Sequence, residues 1–215
     1  MRSSHSPRIS AFALVALSVV VGGNGYAAKS RFHLPVEKNP GIEIGHNGDI
    51  AEMVEKRDVV ITRTFDAPVE QVWKAWTEPE FVMRWWGPTG FTSPSCKIDF
   101  RVGGKYLFHM RAPKDFQGGQ DFYTAGVYKK IVPLKLIEFT QGLADKDGNA
   151  VDPGSMGMPP DFPKEIPSSL SFKRAGAKTE LTVTEYGWTV GQMRDLSESG
   201  MNECLDKLAA ALAKR

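Results

Sequence analysis

The stretch Val190–Lys214, VGQMRDLSESGMNECLDKLAAALAK, decides the architecture. Met193, Ser197, Gly200, Met201, Cys204, Leu208 and Ala211 recur at steps of three and four, which gathers them on one face of a helix. Asp195, Glu198, Asn202 and Asp206 fall on the other face. Thr189 with Gln192 reads as a capping box. The apolar face is uneven. Gly200 is bare, Met193 and Met201 are long and soft, and Leu208 alone is a standard core filler. A helix that only packs a sheet would carry more Leu, Ile and Val. The expectation is a curved sheet that wraps this helix and leaves a cavity along it.

Upstream the chain reads as strands. Val59, Ile61 and Phe65 alternate with Thr62 and Thr64 in a first strand over 58–65. Pro68 suits the start of a helix whose Val69, Val72, Trp73 and Trp76 share a face. Thr77 with Glu80 reads as a second capping box, opening a short helix that Gly87 and Pro88 end. Cys96, Ile98 and Phe100 alternate in strand two, and Gly103-Gly104 predicts a tight primed hairpin turn. Tyr106, Phe108 and Met110 mark strand three. Further strands follow over 122–132, 136–142, 168–174 and 180–186. Short turns between antiparallel neighbours, with helices on one side, make an α+β domain.

The ends of the chain read differently. Arg2 and Arg8 give a positive region before a run of apolar or small residues from Ile9 to Val21, and Gly25-Tyr26-Ala27 offers a small-residue cleavage site. Residues 1–27 therefore read as a secretory signal peptide, with a periplasmic or secreted destination. The run falls short of the ~20 apolar residues of a membrane span, so no stable anchor is expected after cleavage. Residues 28–56 read as a polar extension, and 57–215 as the folded domain. The whole chain holds 27 basic and 25 acidic residues. Loss of Arg2 and Arg8 leaves 25 of each, and no basic run remains to attract nucleic acid. Cys96 and Cys204 read as inward-facing thiols on separate layers about 10 Å apart, which disfavours a disulfide.

Four stretches resemble a known family. They are Phe65-Asp66-Ala67-Pro68 with Trp76-Thr77-Glu78-Pro79-Glu80; Trp85-Trp86-Gly87-Pro88 with Gly90-Phe91; Asp99-Phe100-Arg101-Val102-Gly103-Gly104; and Gly200 to Leu208. Together they resemble the homologues of the activator of the heat-shock-protein-90 ATPase. That family lies within the START and polyketide-cyclase-like (SRPBCC) superfamily. The resemblance implies a helix-grip fold: a curved antiparallel sheet of about seven strands around a long C-terminal helix, with two short helices between strands one and two. The chain departs from the family pattern at Met201, where Trp is frequent, and at Glu185, where His is frequent.

Three functions stay open. The first is an exported protein that binds a small apolar, aromatic or lipid-like ligand between sheet and helix. Its expected wall is Trp86, Phe100, Phe108, Met110, Tyr128, Phe139, Phe172, Glu185, Met201 and Leu208. The second is an acid–base enzyme (a cyclase, dehydratase or hydrolase) in the same cavity. Glu185, the one acid with inward parity, would move the proton, with Tyr128 beside it. No complete catalytic set is visible. The third, implied by the family name, is stimulation of a chaperone ATPase by protein contact, which an export signal opposes.

His109 has outward parity and is expected to face solvent or the outer side of the sheet. Asp99 and Arg101 are expected to form a surface pair. Neither cysteine pairs nor His–Glu spacing suggest a metal, and no cofactor is implied. Asp145–Asn149 reads as a tight turn rather than a calcium loop. The long, partly apolar connection 144–167 is a candidate lid over the cavity, with an extended hairpin as the alternative. A homodimer stays open.

Overall fold

The structure is a computed structural model that describes residues 55–214, apart from Gln117. The segments read as a signal, 1–27, and as an extension, 28–56, lie wholly and almost wholly outside the described residues. The elements are β1 (Lys56–Phe65), α1 (Val69–Thr77), α2 (Pro79–Val82), β2 (Cys96–Ile98), β3 (Lys105–Arg111), β4 (Asp121–Val132), β5 (Leu136–Ala144), a 3-10 turn (Pro153–Met156), β6 (Ile166–Ala175), β7 (Lys178–Thr189) and α3 (Gln192–Ala213). The seven strands form one open antiparallel sheet in the order β1-β7-β6-β5-β4-β3-β2. Strands β2 to β7 are thus a meander, and β1 closes onto the last strand. This is the expected α+β helix-grip arrangement.

One face of the sheet holds the core. Val59 and Ile61 of β1, Leu181 and Val183 of β7, Leu170 and Phe172 of β6, Ile137 of β5, Tyr128 of β4 and Tyr106 and Phe108 of β3 are all buried in one cluster. Met201, Cys204, Leu205 and Leu208 of α3 complete it, with Val72, Ala75 and Trp76 of α1. Period-two alternation in the strands and period-3.6 in the helices meet on this surface. The polar face of α3 is tied back to β1, where Arg63 donates to Asp206 at 3.0 Å and to Asn202 at 2.9 Å.

Several local expectations are corrected. Strand β7 runs on to Thr189, which pairs with Lys56, so Thr189 cannot cap the last helix. Gly191 is the N-cap instead, without a side-chain hydrogen bond. Thr77 closes α1 by donating its hydroxyl to Trp73 O at 3.0 Å, and Glu78 precedes α2 in extended conformation. The 103–104 hairpin is not a two-residue turn. β2 stops at Ile98, and a six-residue loop, 99–104, bends onto β4. There Gly103 N donates to Tyr128 O, and Tyr128 N to Gly104 O. Gly104 is required by close approach, since a Cβ would sit 2.0 Å from Asp99 O. Phe100 therefore leaves the strand ladder and packs edge-on against Trp73 and Tyr128. Asp99 and Arg101 do form the expected surface pair, at 2.9 Å.

Cys96 and Cys204 are both free, as the layer spacing implied. Burial pushes each thiol up to about 12. At pH 8 the thiolate is scarce, and Cys204 is buried as well. Alkylation by iodoacetamide at pH 8 is expected to modify both cysteines in denaturant and to leave Cys204 unmodified in the folded protein. Rapid native modification of Cys204 would contradict this packing.

Candidate functional site

The loop after α2 is held against the last helix. Lys207 Nζ donates to Gly87 O at 2.7 Å and to Phe91 O at 2.8 Å. Partial burial lowers its pKa. Glu203 Oε2 accepts from Thr89 N at 2.9 Å. Gly87 has φ +95, and a Cβ there would meet Phe91 and Met110 at 3.1 and 3.3 Å. The motif Trp85-Trp86-Gly87-Pro88 is thereby fixed as one end wall of the space between sheet and helix. Trp85 Nε1 donates to Ala75 O at 2.9 Å, so this indole belongs to the core. Trp86 meets Phe108 edge to face at 4.8 Å and faces the cavity.

A cavity of about 100 Å³ opens beside Trp86. Met110, Phe122, Thr124, Gln141, Leu143, Ile166, Glu185 and Trp188 line it from the sheet, and Met193, Ser197 and Met201 from α3. Met156, Met158 and Phe162 close it from the connection between β5 and β6. A smaller space of about 20 Å³ lies deeper, against Tyr106, Phe108, Tyr128, Ile137, Phe139 and Leu170. Trp86, Gln141, Glu185 and Met201 border both. Every methionine of the described residues except Met83 lines the larger cavity. Thioether side chains are unbranched and polarisable, so such a wall adapts its shape at low cost.

Glu185 is the polar floor. It is 2% exposed, and its carboxylate accepts three hydrogen bonds. Gln141 Nε2 donates to Oε1 at 2.8 Å, while Trp188 Nε1 and Ser197 Oγ donate to Oε2 at 2.9 and 2.7 Å. Strands β5 and β7 and the first turns of α3 are stapled at this one group. Trp188 reaches it through a bulge. Arg57 pairs with Trp188 and Val59 with Glu185, so β7 carries one extra residue there. Gly187, at φ +73, absorbs it, and its N–H donates to Asp58 Oδ1 at 2.9 Å. The bulge reverses side-chain parity and returns Trp188 to the concave face.

The roof is built from the connection 145–165. Asp145 makes the expected tight turn, its carboxylate accepting from Asp147 N and Asn149 N, each at 2.9 Å. Among the described residues no cluster of His, Cys, Asp or Glu could hold a metal ion. Asp152 and Lys164 join the two ends of the remaining loop at 2.6 Å. Phe162 meets Trp188 edge to face at 5.5 Å, which sets the loop over the mouth.

The structure thus brings Trp86, Phe108, Met110, Tyr128, Phe139, Glu185 and Met201 to these spaces. It places Phe100, Phe172 and Leu208 elsewhere. Phe172 packs on Trp73 at 5.0 Å, and Leu208 is fully enclosed at the lower end of α3. The reason lies on the helix. Leu205 is buried as well as Leu208, because α3 is covered by the sheet on one side and α1 on the other. Two leucines and Cys204 fill that half, so the gap is confined to the half that carries Met193 and Met201. Tyr128 is buried, which raises its pKa, and it stands away from the Glu185 carboxylate's bonds.

His109 lies on the outer side of the sheet, one of its two expected positions, but is 5% exposed and does not face solvent. Its parity is outward, yet Ser95 Oγ meets Nδ1 at 2.9 Å and Tyr123 stacks on the ring at 4.5 Å. Nε2 lies 3.0 Å from Asp121 Oδ1 without the alignment of a hydrogen bond. Asp121 is also clasped by Arg111 at 2.6 and 3.0 Å, which draws its pKa down to about 2. Chain that covers the outer face of β3 buries this histidine away from the cavity.

Residues 66–213 match the model of the family described as activator of Hsp90 ATPase homolog 1-like protein. The chain belongs to this family. Solved structures share the fold across most of the chain. A protein of Arthrobacter aurescens is 24% identical, with TM-score 0.60 over 78% of this chain and 92% of its own. The AHSA1 protein of Silicibacter pomeroyi is 22% identical, with TM-score 0.56 over 73% and 98%. A protein of Chromobacterium violaceum is 24% identical, with TM-score 0.57 over 74% and 98%. At these identities the likeness shows the fold alone. No curated protein matches the chain.

Proposed function

We propose that this member of the activator of Hsp90 ATPase homolog 1-like family holds a small, mainly apolar molecule between sheet, α3 and the 151–165 loop. We further propose that it does so after export under the signal-like segment 1–27. The supporting observation is the cavity beside Met201, walled by thioethers and aromatic rings and closed by a loop. Its volume of about 100 Å³ suits one ring or a short chain. An apolar void of about 150 Å³ holds benzene, and drug-sized sites reach 300–1,000 Å³. Rotation of Met156, Met158 and Met193 at the mouth would enlarge it. Burial of apolar surface, at ~25 cal/mol per Å² before association costs, supplies the affinity.

The acid–base alternative has less support. Both Glu185 oxygens already serve the fold, and no second titratable side chain borders the cavity with it except Tyr123 of the outer face and, in the deeper space, Tyr106 and Tyr128. Burial raises the pKa of both deeper phenols, Tyr106 well above its usual value, so they are poor proton donors to substrate at neutral pH.

The test is thermal unfolding with p-xylene, indole and short alkanes, followed in parallel by tryptophan fluorescence. Stabilisation of about 2.7 kcal/mol is expected at a ligand concentration 100 times Kd. Met201→Trp should fill the space and abolish the shift while preserving the fold. If none of these molecules moves the unfolding temperature, the proposal fails.

A further inference from the structure

We infer that the cavity is selective for charge sign: it admits the cationic end of a small apolar amine and turns away carboxylates of the same shape. This inference rests on the cavity being a ligand site. Its basis is the floor. Glu185 borders both the larger cavity and the deeper one, and three donors occupy its carboxylate. A carboxylate offers about four acceptor positions, so one remains. Among the described residues that line the two spaces there is no Lys, Arg or His. No ion pair of Glu185 is present among the described residues either; its partners there are three neutral donors.

The remaining wall fits the same chemistry. Trp86 and Trp188 stand beside Glu185, and aromatic rings are the neutral surface that best tolerates a cation. Outside the roof, a groove shares Trp188 and Met193 with the cavity, and its one charged side chain is Asp161. A ligand entering by this side meets negative charge at the groove and again at the floor. Inside a low-dielectric wall the interaction with Glu185 is weakly screened. An incoming carboxylate would place a like charge there, with only the unpartnered Trp86 Nε1–H of the indoles on that wall to set against it. An ammonium would meet an acceptor and could hydrogen-bond to it.

The experiment compares p-xylene, 4-methylbenzylammonium and 4-methylbenzoate by calorimetry at pH 7 on the wild-type protein and on Glu185→Gln. An uncharged apolar wall rejects both ions alike, because each must shed its water. The expected result is that the ammonium binds at least tenfold more tightly than the benzoate, and that the ratio falls toward one in Glu185→Gln. Equal binding of the two ions, preference for the benzoate, or an unchanged ratio in Glu185→Gln would overturn the inference. If Glu185→Gln does not fold, the wild-type ratio decides alone. Binding of p-xylene without any order between the ions sinks this inference only. Failure of all three probes sinks the ligand site and the inference together.

Discussion

Gly126→Ala is expected to lose about 3 kcal/mol or more of stability, enough to leave the domain unfolded or barely folded at 37 °C. A Cβ at this position would lie 1.7 Å from Thr140 O and 2.7 Å from Thr140 C on the neighbouring strand. Both atoms are backbone, so no rotamer change relieves the overlap. β4 and β5 would have to separate where Tyr106 passes its phenol across to donate to Thr140 O at 2.9 Å. The phenol itself would be 2.9 Å from the new methyl. Tyr106→Phe removes only that hydrogen bond and should cost about 1 kcal/mol. Combining the two changes should not rescue Gly126→Ala, because Thr140 O stays in place. Urea unfolding measures both. A Gly126→Ala protein as stable as the wild type would mean that the strands do not approach as described.

Glu185→Ala is the second large effect. It strips the partner from Gln141 Nε2, Trp188 Nε1 and Ser197 Oγ together. Trp188 and Ser197 are buried, and each orphaned buried donor costs ~1–3 kcal/mol. A loss of about 3–5 kcal/mol is expected, with the N-terminal turns of α3 loosened first. Ser197→Ala or Gln141→Ala removes a single donor and should cost about 1 kcal/mol each. Hydrogen exchange of residues 192–200 would locate the damage. A loss below 1 kcal/mol for Glu185→Ala, with exchange unchanged, would show that the carboxylate does not staple helix to sheet.

The two effects share a logic. Both sites sit where strands or layers must come close for the concave face to close around the helix. Gly126 permits the approach and Glu185 locks it. Glu185 also borders the cavity and the deeper space, whereas Gly126 borders neither. Glu185 in particular is both a structural fastener and, among the described residues, the one carboxyl bordering the cavity. Glu185→Gln keeps its shape, which is why it serves the charge test better than Ala.

Much of this was legible along the chain. Alternation in Val59–Ile61, Tyr106–Phe108 and Leu181–Val183 marked strands and their buried faces, because side chains of a pleated strand point to opposite sides in strict turn. Met201 and Met193 on the helical face signalled looser filling, and Glu185 showed its inward parity. These are local properties, readable from spacing. What spacing misreads are positions where the backbone departs from regular geometry. Trp188 escaped because the last strand was read as ending at Tyr186, whereas it runs through the Gly187 bulge to Thr189; an isolated glycine in a strand was the available signal. Phe100 was misplaced because its loop bends onto β4. The burial of His109 was not readable because parity assigns a face of the sheet but does not say what covers that face.

By itself the sequence determined the element order, the sheet's inward face, the unpaired thiols' separate layers and the wrapped last helix. Those follow from periodicity and from which side chains leave water. Only the tertiary structure decided where the void lies, that Leu205 and Leu208 close half of it, and that Met156, Met158 and Phe162 roof the rest. It alone joined Gln141, Trp188 and Ser197 on Glu185. Such groupings depend on residues far apart in the chain meeting at ångström distances, and no local pattern encodes the rotation of a helix within its sheet or the path of a loop across its mouth.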